Sequence, residues 1–248
     1  MKRVVIISLG IAVFATALMA CNNGEKVKLL ESILDNGVLY RKFEYDNKDR
    51  IVKIIRYGSD GKTVMKTRTF TYNGNFFTVS EDIDGEIVST KNYGKYDDKI
   101  YIQGGDEYFE FNSQNLVVKH SIKFGGIDGY ERVTTYEYEG SNISKMAVEE
   151  IYGPYFEERF KKPNYDVTYT YDDKKSPLYY CKTPQWYLAI YTDWQRAGEE
   201  IGVTNNVKTT VSEGKTYTLN LEYYDDGMLK SMTSDYYSSP LTFLYKTK

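Results

Sequence analysis

This chain is poor in the residue types that carry most enzyme chemistry. It has one histidine, two cysteines and five prolines among 248 residues, and it contains neither G-x-G-x-x-G nor a phosphate-binding loop. The lone histidine, His120, has no second histidine or cysteine near it, which argues against a metal site, and no nucleophile-elbow motif supports a relay through it. We therefore expect no catalytic residues, no metal and no cofactor, and we expect His120 to lie on the surface or in a turn.

The charge balance excludes a further class of partner. The net charge is −3 at pH 7, and the basic and acidic residues are mixed along the chain without runs of one sign. A chain of this kind is a poor ligand for nucleic acid or for an anionic membrane surface. We expect no nucleic-acid partner.

Apart from the N-terminus, the chain has no long apolar run. Residues 1–20 begin with the basic pair Lys2 and Arg3 and continue as an apolar segment, which is typical of a secretory signal. The segment ends in LMAC (residues 18–21), which resembles the lipobox of bacterial lipoproteins. The resemblance implies that Cys21 is lipidated and anchors the protein to a membrane, most simply the outer membrane of the cell envelope, facing either side. An ordinary cleaved signal followed by a chance cysteine is the alternative.

The remaining chain divides into a short tether, residues 21–31, and a single domain, residues 32–248. With Cys21 lipidated, Cys181 has no partner for an internal disulfide, so the domain must be stabilised by burial. Its 26 tyrosines supply much of the apolar surface.

Strict alternation predicts strands. In DVTYTY (166–171) and TYTLNLEY (216–223), apolar residues alternate with threonine, asparagine or acidic residues. Asn, Asp and Gly clusters between such segments mark tight turns. We predict an all-β fold: a long antiparallel meander of repeated hairpins, roughly ten to fourteen strands, which forms a curved sheet or open barrel.

One hairpin pattern recurs. KFEYDNKDRIVKI (42–54) has looser copies in YEYEGSNISKM (136–146), LEYYDDGMLKSM (221–232) and FEFNSQNLVVK (109–119). Each copy ends a strand in an aromatic residue and starts the next in an aliphatic one, both predicted to face the core. The aromatic residues are Tyr45, Phe111, Tyr138 and Tyr224, and the aliphatic ones are Ile51, Leu116, Ile143 and Leu229.

The pair Tyr45-Asp46 followed by DRI (49–51) is similar to the YD (RHS-type) repeat, except that Asp49 stands where that repeat has glycine. The chain as a whole resembles a group of Bacteroidetes lipoproteins assigned a porin-like β-sheet fold. The lipobox, the polar tether, the Y-x-Y-D strands and YTYDDKKSPL (169–178) carry this resemblance. It implies a fold and an envelope location, and it implies no particular activity.

One segment breaks the alternation. Residues 183–202 place Trp186, Ile190 and Trp194 at helical spacing, with Thr183 as the expected N-cap. We predict a short helix packed on the covered face of the sheet. The alternative is an aromatic platform at a cleft, and its candidate binding residues are Trp186, Tyr187, Tyr191 and Trp194.

These observations favour a non-enzymatic role, in which the anchored protein binds a glycan or an envelope protein or supports an assembly. The alternative is a glycan hydrolase that uses two carboxylates. Two carboxylates facing each other across a cleft near Trp186 or Trp194 would favour the hydrolase.

Overall fold

The computed structural model describes residues 26–74, 76–96, 99–102, 105–125, 129–191, 202–235 and 239–248. The predicted signal at residues 1–20 and the predicted anchor Cys21 lie outside these residues. So do Trp194 and the side chain of Tyr191.

The described residues form sixteen strands in one antiparallel meander, in which each strand pairs with the next along the chain. The strands are β1 (Lys28–Asp35), β2 (Val38–Tyr45), β3 (Ile51–Tyr57), β4 (Val64–Asn73), β5 (Phe76–Ile83), β6 (Glu86–Tyr96), β7 (Lys99–Ile102), β8 (Glu107–Phe111), β9 (Val117–Phe124), β10 (Tyr130–Glu139), β11 (Asn142–Tyr152), β12 (Tyr165–Lys175), β13 (Asn205–Ser212), β14 (Lys215–Tyr223), β15 (Leu229–Ser234) and β16 (Leu241–Thr247). One helix, α1 (Gln185–Tyr191), and a 3₁₀ turn at Glu158–Phe160 complete the elements of the described residues.

The meander closes into a barrel because β1 pairs with β16, from Lys28 opposite Thr247 to Asp35 opposite Leu241. Closure gives every strand a partner on both sides and leaves no open sheet edge. The predicted all-β antiparallel meander with one short helix is confirmed. The strand number exceeds the expected ten to fourteen, since short strands such as β7 carry too few residues for a clear alternation.

The side chains of the two alternating segments, on β12 and β14, lie on the predicted faces of the sheet. On β14, Leu219 is buried, whereas its neighbours Thr218 and Asn220 are exposed. On β12, Val167 is buried and the flanking Asp166 and Thr168 are exposed. The apolar residues therefore face the inside of the barrel, and the threonines and acidic residues of these strands face outward.

Sixteen strands enclose more space than wall side chains alone can fill, since about eight strands is the limit for a filled interior. Residues 176–191, which we call the inner segment, occupy part of this space. The segment leaves the wall between β12 and β13, yet Lys182 N donates a hydrogen bond to Asp49 O at 2.9 Å, next to β3. Tyr187 packs edge-on against Phe77 of β5 at 5.5 Å. Because β12 and β13 stand opposite β4 and β5 in the ring, the inner segment crosses the barrel.

Helix α1 lies within the inner segment. It begins at Gln185, with the N–H groups of Tyr187 and Leu188 donating to Pro184 O at 3.0 and 3.3 Å. The predicted N-cap, Thr183, has a different role, because its hydroxyl accepts a hydrogen bond from the wall, from Ile51 N at 2.7 Å. Residues 192–201 of the predicted helix lie outside the described residues.

The two ends of the barrel differ. The plugged end carries the inner segment, the start of β1, the end of β16 and the turns at residues 46–50, 112–116 and 224–228. We call the opposite end the mouth end. It carries the hairpin turns at residues 36–37, 84–85 and 213–214 and the loop at residues 153–164.

Three of the four recurring hairpins share a five-residue turn at the plugged end, whereas β10 and β11 are joined by the two residues Gly140 and Ser141. The fourth residue of each turn has a left-handed backbone, with φ of 62° at Asp49, 64° at Asn115 and 81° at Gly227. Asp46 and Asn112, each first in its turn, accept hydrogen bonds from the backbone N–H groups two and four residues later. Asn, Asp and Gly tolerate this conformation best, which explains why a polar turn recurs and why Asp49 can replace glycine.

Tyrosine hydroxyls fasten neighbouring strands at this same end. Five donate to a backbone carbonyl of the preceding strand: Tyr45 to Leu30, Tyr72 to Ile51, Tyr138 to Val117, Tyr171 to Ile143 and Tyr245 to Leu229, at 2.7–2.8 Å. Most of the acceptors stand at β-bulges just after the turns. Because of the bulges, two of the predicted core residues are wrong by one position. Phe111 pairs with Val117 and not with Leu116, and Leu229 pairs with Tyr223 and not with Tyr224.

Candidate functional site

Two of the four aromatic residues predicted as a binding platform lie inside the barrel. Tyr187 is 3% exposed, and Trp186 packs against the rings of Phe109, Phe77 and Tyr93 at 4.9, 5.6 and 5.7 Å. These contacts fit the interpretation of the helix as core filling. The side chain of Tyr191 and all of Trp194 lie outside the described residues, so the structure brings only Trp186 and Tyr187 together.

His120 is not the surface or turn histidine that the sequence predicts. It lies on the inner face of β9, 7% exposed, and stacks on Phe109 at 4.3 Å. Its Nε2 atom is 2.9 Å from Glu107 Oε1, and Lys91 Nζ donates to Glu107 Oε2 at 2.9 Å. The prediction fails because β9 runs on from Val117 to Phe124, which places His120 in mid-strand and on the inner side.

The inner face changes from apolar to charged toward the mouth end. On β5, Phe77 and Val79 are 7% and 6% exposed, the Glu81 side chain is 20% exposed and Ile83 is 39% exposed. β6 has the same gradient, from Tyr93 at 1% to the Lys91 side chain at 39%. Water therefore reaches the inner face at the mouth end, while the aromatic cluster around the inner segment stays dry.

Three inner carboxylates at the mouth end accept hydrogen bonds from cationic side chains. The pairs are Glu81 with Lys66 and Arg68 at 2.8 and 2.9 Å, Glu107 with Lys91 at 2.9 Å and Glu150 with Arg132 at 2.7 Å. Burial would raise the pKa of Glu81, but the hydrogen bonds from the two cations outweigh it and hold that pKa below its ordinary value. Glu81 is therefore a charged acceptor rather than a proton donor.

An aromatic group stands beside Arg132 and Glu150. Phe124 stacks on Tyr130 at 4.7 Å, and Tyr152 lies 4.7 Å from Phe156 and 5.8 Å from Tyr130. We call these four residues the aromatic rim. Phe124, Tyr130 and Tyr152 are at the mouth ends of β9, β10 and β11, on the side that continues the inner face, and Phe156 comes from the following loop.

The aromatic rim has a partly exposed surface. Phe124 is 36% exposed, and the other three members are intermediate in exposure. The Tyr152 hydroxyl donates to Glu150 Oε2 at 3.0 Å, which joins the rings to the Arg132–Glu150 pair. The mouth end therefore offers flat apolar faces next to charged hydrogen-bonding groups.

The aromatic rim was not among the residues predicted from the sequence, although a weak signal for it is present. Tyr130 and Tyr152 each stand at a strand end beside a loop with glycine or proline, in GGIDGY and IYGPYF. Tyr130 is two residues from Arg132, and Tyr152 is two residues from Glu150. Once these segments are known to be strands, each tyrosine is expected on the same face as its charged neighbour. Without the register, these tyrosines look like the many others that fill the core.

Metal-binding clusters and membrane-spanning helices are both absent from the described residues. No group of three His, Cys, Asp or Glu side chains within the described ranges is arranged to hold a metal ion. No helix in these ranges is long and apolar enough to cross a bilayer.

Comparison with known proteins gives similarity in fold alone. No family model matches the chain, and no curated protein matches it. Among solved structures, it is similar to a porin-like protein from Bacteroides uniformis ATCC 8492, with 12% identity and a TM-score of 0.48 over 89% of this chain and 97% of that one. It is also similar to a porin-like protein from Bacteroides vulgatus ATCC 8482, with 14% identity and a TM-score of 0.41 over 88% and 99%.

These values are too low to carry an argument about activity or location. Nothing in the comparisons supports the resemblance to the YD repeat or the assignment as a lipoprotein. Both stay predictions from the sequence.

Proposed function

We propose that this chain is a lipid-anchored protein of the cell envelope that binds a saccharide, without catalysing a reaction, at the mouth end of its barrel. The observation that carries the proposal is the aromatic rim beside the Arg132–Glu150 pair. Aromatic faces pack on the C–H faces of a sugar ring, while charged groups bind its hydroxyls.

The two ends of the barrel support an orientation for the anchored protein. β1 begins at Lys28 in the plugged end, where Lys248 N donates to Val27 O at 3.0 Å. The stretch from Cys21 to Lys28 spans at most ~25 Å when extended. A lipid on Cys21 therefore holds the plugged end toward the membrane and leaves the mouth end facing away from it.

The outward side chains of β12 and β14 support anchoring rather than spanning. Thr168 and Thr170 on β12 and Thr216 and Thr218 on β14 are exposed. A strand that crosses a bilayer presents an apolar band outward and polar residues to the lumen. These two strands have the opposite arrangement.

The ion pairs at the mouth end favour binding over the hydrolase alternative. A glycosidase needs one carboxyl group with a raised pKa to protonate the leaving oxygen. Glu81 has the opposite shift, because the effect of burial is outweighed by hydrogen bonds from Lys66 and Arg68, which hold its pKa below the ordinary value. Glu107 and Glu150 accept hydrogen bonds from Lys91 and Arg132 at 2.9 and 2.7 Å.

The test is isothermal titration calorimetry of the full chain in detergent against a panel of oligosaccharides. We expect saturable binding of at least one class, and we expect Tyr130→Ala to weaken it by about tenfold or more because a stacking face is lost. Tyr179→Ala is the matched control, since Tyr179 is 39% exposed at the plugged end. No binding by any saccharide, or equal effects of the two substitutions, would contradict the proposal.

A further inference from the structure

Arg132 and Glu150 form an ion pair whose two members differ in exposure. They stand directly opposite each other on β10 and β11, on the inner face. The Glu150 side chain is 3% exposed, whereas the Arg132 side chain is 33% exposed. A ligand in the mouth therefore meets the guanidinium group of the pair before it meets the carboxylate.

The hydrogen-bonding capacity of Glu150 is mostly used within the protein. Its Oε1 atom accepts from Nε and Nη2 of Arg132 at 3.0 and 2.7 Å, and its Oε2 atom accepts from the Tyr152 hydroxyl at 3.0 Å. The Tyr152 oxygen in turn accepts from Lys162 N at 2.5 Å. A ligand group that needs an acceptor for its own proton finds little capacity left on this pair.

Arg132 has donors left over. A guanidinium group carries more N–H groups than one carboxylate oxygen can accept. One N–H of Nε and one of Nη2 donate to Glu150, and within the described part of the chain the others donate to no protein atom. The exposed member of the pair therefore offers donors only.

These donors lie beside an apolar face. Arg132 Cζ is 5.8 Å from the centroid of the Phe124 ring, and that ring stacks on Tyr130. The Tyr130 hydroxyl can donate or accept, so it does not select between ligand groups. A ligand group that contacts both Arg132 and Phe124 must combine an acceptor atom with an apolar part over a short distance.

We infer that the saccharide carries an acetamido group, whose carbonyl oxygen accepts from Arg132 and whose methyl group packs on the aromatic rim. This inference rests on the proposed function. A carbonyl oxygen accepts hydrogen bonds and has no proton to place, which matches donors whose neighbouring carboxylate is already paired.

Other sugar substituents match this arrangement less well. A hydroxyl group has a proton that needs an acceptor, and it lacks the methyl group that would cover the ring. A carboxylate would lie beside the buried carboxylate of Glu150, which already balances the charge of Arg132, and like charges repel strongly where water is scarce.

The test compares three probes of the same length and linkage by calorimetry on the full chain: oligomers of N-acetylglucosamine, of glucose and of glucuronate. The first two differ only in the substituent at C2. We expect the acetylated probe to bind about tenfold or more tightly than the glucose probe, because the glucose probe lacks both the methyl contact and the carbonyl acceptor. Arg132→Lys keeps a cation for Glu150 and removes the remaining guanidinium donors, so it should reduce this ratio.

Arg50→Lys is the matched control. Arg50 also donates from Nε and Nη2 to one carboxylate oxygen, Asp46 Oδ2, at 2.8 and 2.6 Å, and its side chain is 29% exposed at the plugged end. The substitution makes the same change to the same kind of ion pair at the opposite end of the barrel, so the ratio should stay as in the wild type. Circular dichroism and melting temperature are measured for both variants.

The comparison of probes on the wild type keeps its meaning even if a variant is destabilised. Equal or tighter binding of glucose, of glucuronate or of any other saccharide that lacks an acetamido group would overturn the inference and leave the proposed function intact. Equal changes of the ratio in the two variants would overturn it as well. Failure of every saccharide to bind would overturn the proposed function, and the inference with it.

Discussion

Tyr72 and Ile51 are joined through a closed ring of hydrogen bonds that includes the inner segment. The Tyr72 hydroxyl donates to Ile51 O at 2.8 Å, and Ile51 N donates to Thr183 Oγ1 at 2.7 Å. Thr183 closes the ring by donating to the Tyr72 oxygen at 3.1 Å. The ring fastens the inner segment to β3 and β4, opposite the strands from which it departs.

Removal of one hydroxyl tests this ring. Tyr72→Phe leaves a buried carbonyl and the Thr183 hydroxyl each without one hydrogen bond, and we expect a loss of about 1–3 kcal/mol in the free energy of unfolding. Urea denaturation measures the loss. Tyr179→Phe, at an exposed position, should change stability by less than ~0.5 kcal/mol. Equal stabilities of the two variants would contradict the role of the ring.

The inward and outward faces of β14 make a second prediction. Leu219→Ala should destabilise the barrel by about 2–5 kcal/mol, because Leu219 is 4% exposed and its loss leaves a cavity. Thr218→Ala, on the outer face of the same strand, should cost no more than ~0.5 kcal/mol. Thermal unfolding followed by circular dichroism compares them. A larger effect at Thr218 would reverse the face assignment.

Acid should weaken one of the ion pairs at the mouth end. The pKa of Glu81 is lowered from its ordinary value of 4.5 because the hydrogen bonds from Lys66 and Arg68 outweigh the effect of burial. Because the pKa of Glu81 is lowered in the folded protein, the ionised carboxylate stabilises the fold at pH values above the pKa of the unfolded state. This stabilisation is lost as the pH falls through the pKa of the folded state.

We therefore expect Glu81→Gln to be less stable than the wild type at neutral pH and the difference to shrink below pH 4.5. Urea denaturation between neutral and acidic pH measures both proteins side by side. A stability difference that does not change with pH would show that the Glu81 charge makes no contribution.

Membrane attachment is a separate prediction from the sequence. Cys21→Ser should release the protein from membranes without changing its far-UV circular dichroism, because the lipid would be the attachment. Fractionation of cells that express each form checks this. Membrane retention of the serine variant would contradict lipid anchoring.

Much of the fold could be predicted from local pattern. The alternation in β12 and β14 gives the correct faces for Val167 and Leu219, and the polar turns fall where Asp49 and Gly227 take a left-handed backbone. Barrel closure could not be predicted, since the pairing of Lys28 with Thr247 joins the two ends of the domain and has no local signal. The β-bulges could not be predicted either. One extra residue on β9 makes Val117, and not Leu116, the residue that faces the inside of the barrel.

The candidate site was harder to predict than the fold. Trp186 stood out because tryptophan is rare here, yet rarity did not distinguish an interior ring from an exposed one. The aromatic rim depends on which residues stand opposite each other across the strands, and Tyr130 and Tyr152 are far from adjacent in sequence. Only the register shows that they are neighbours.

The most direct test of the proposed function is a crystal structure of the chain with an oligosaccharide that binds in calorimetry. We expect density for the sugar at the mouth end, with a ring on Tyr130 and hydroxyl groups within hydrogen-bond distance of Arg132 or Glu150. Density at the outer wall, or beside Trp186 at the plugged end, would contradict the assignment of the mouth end as the binding site.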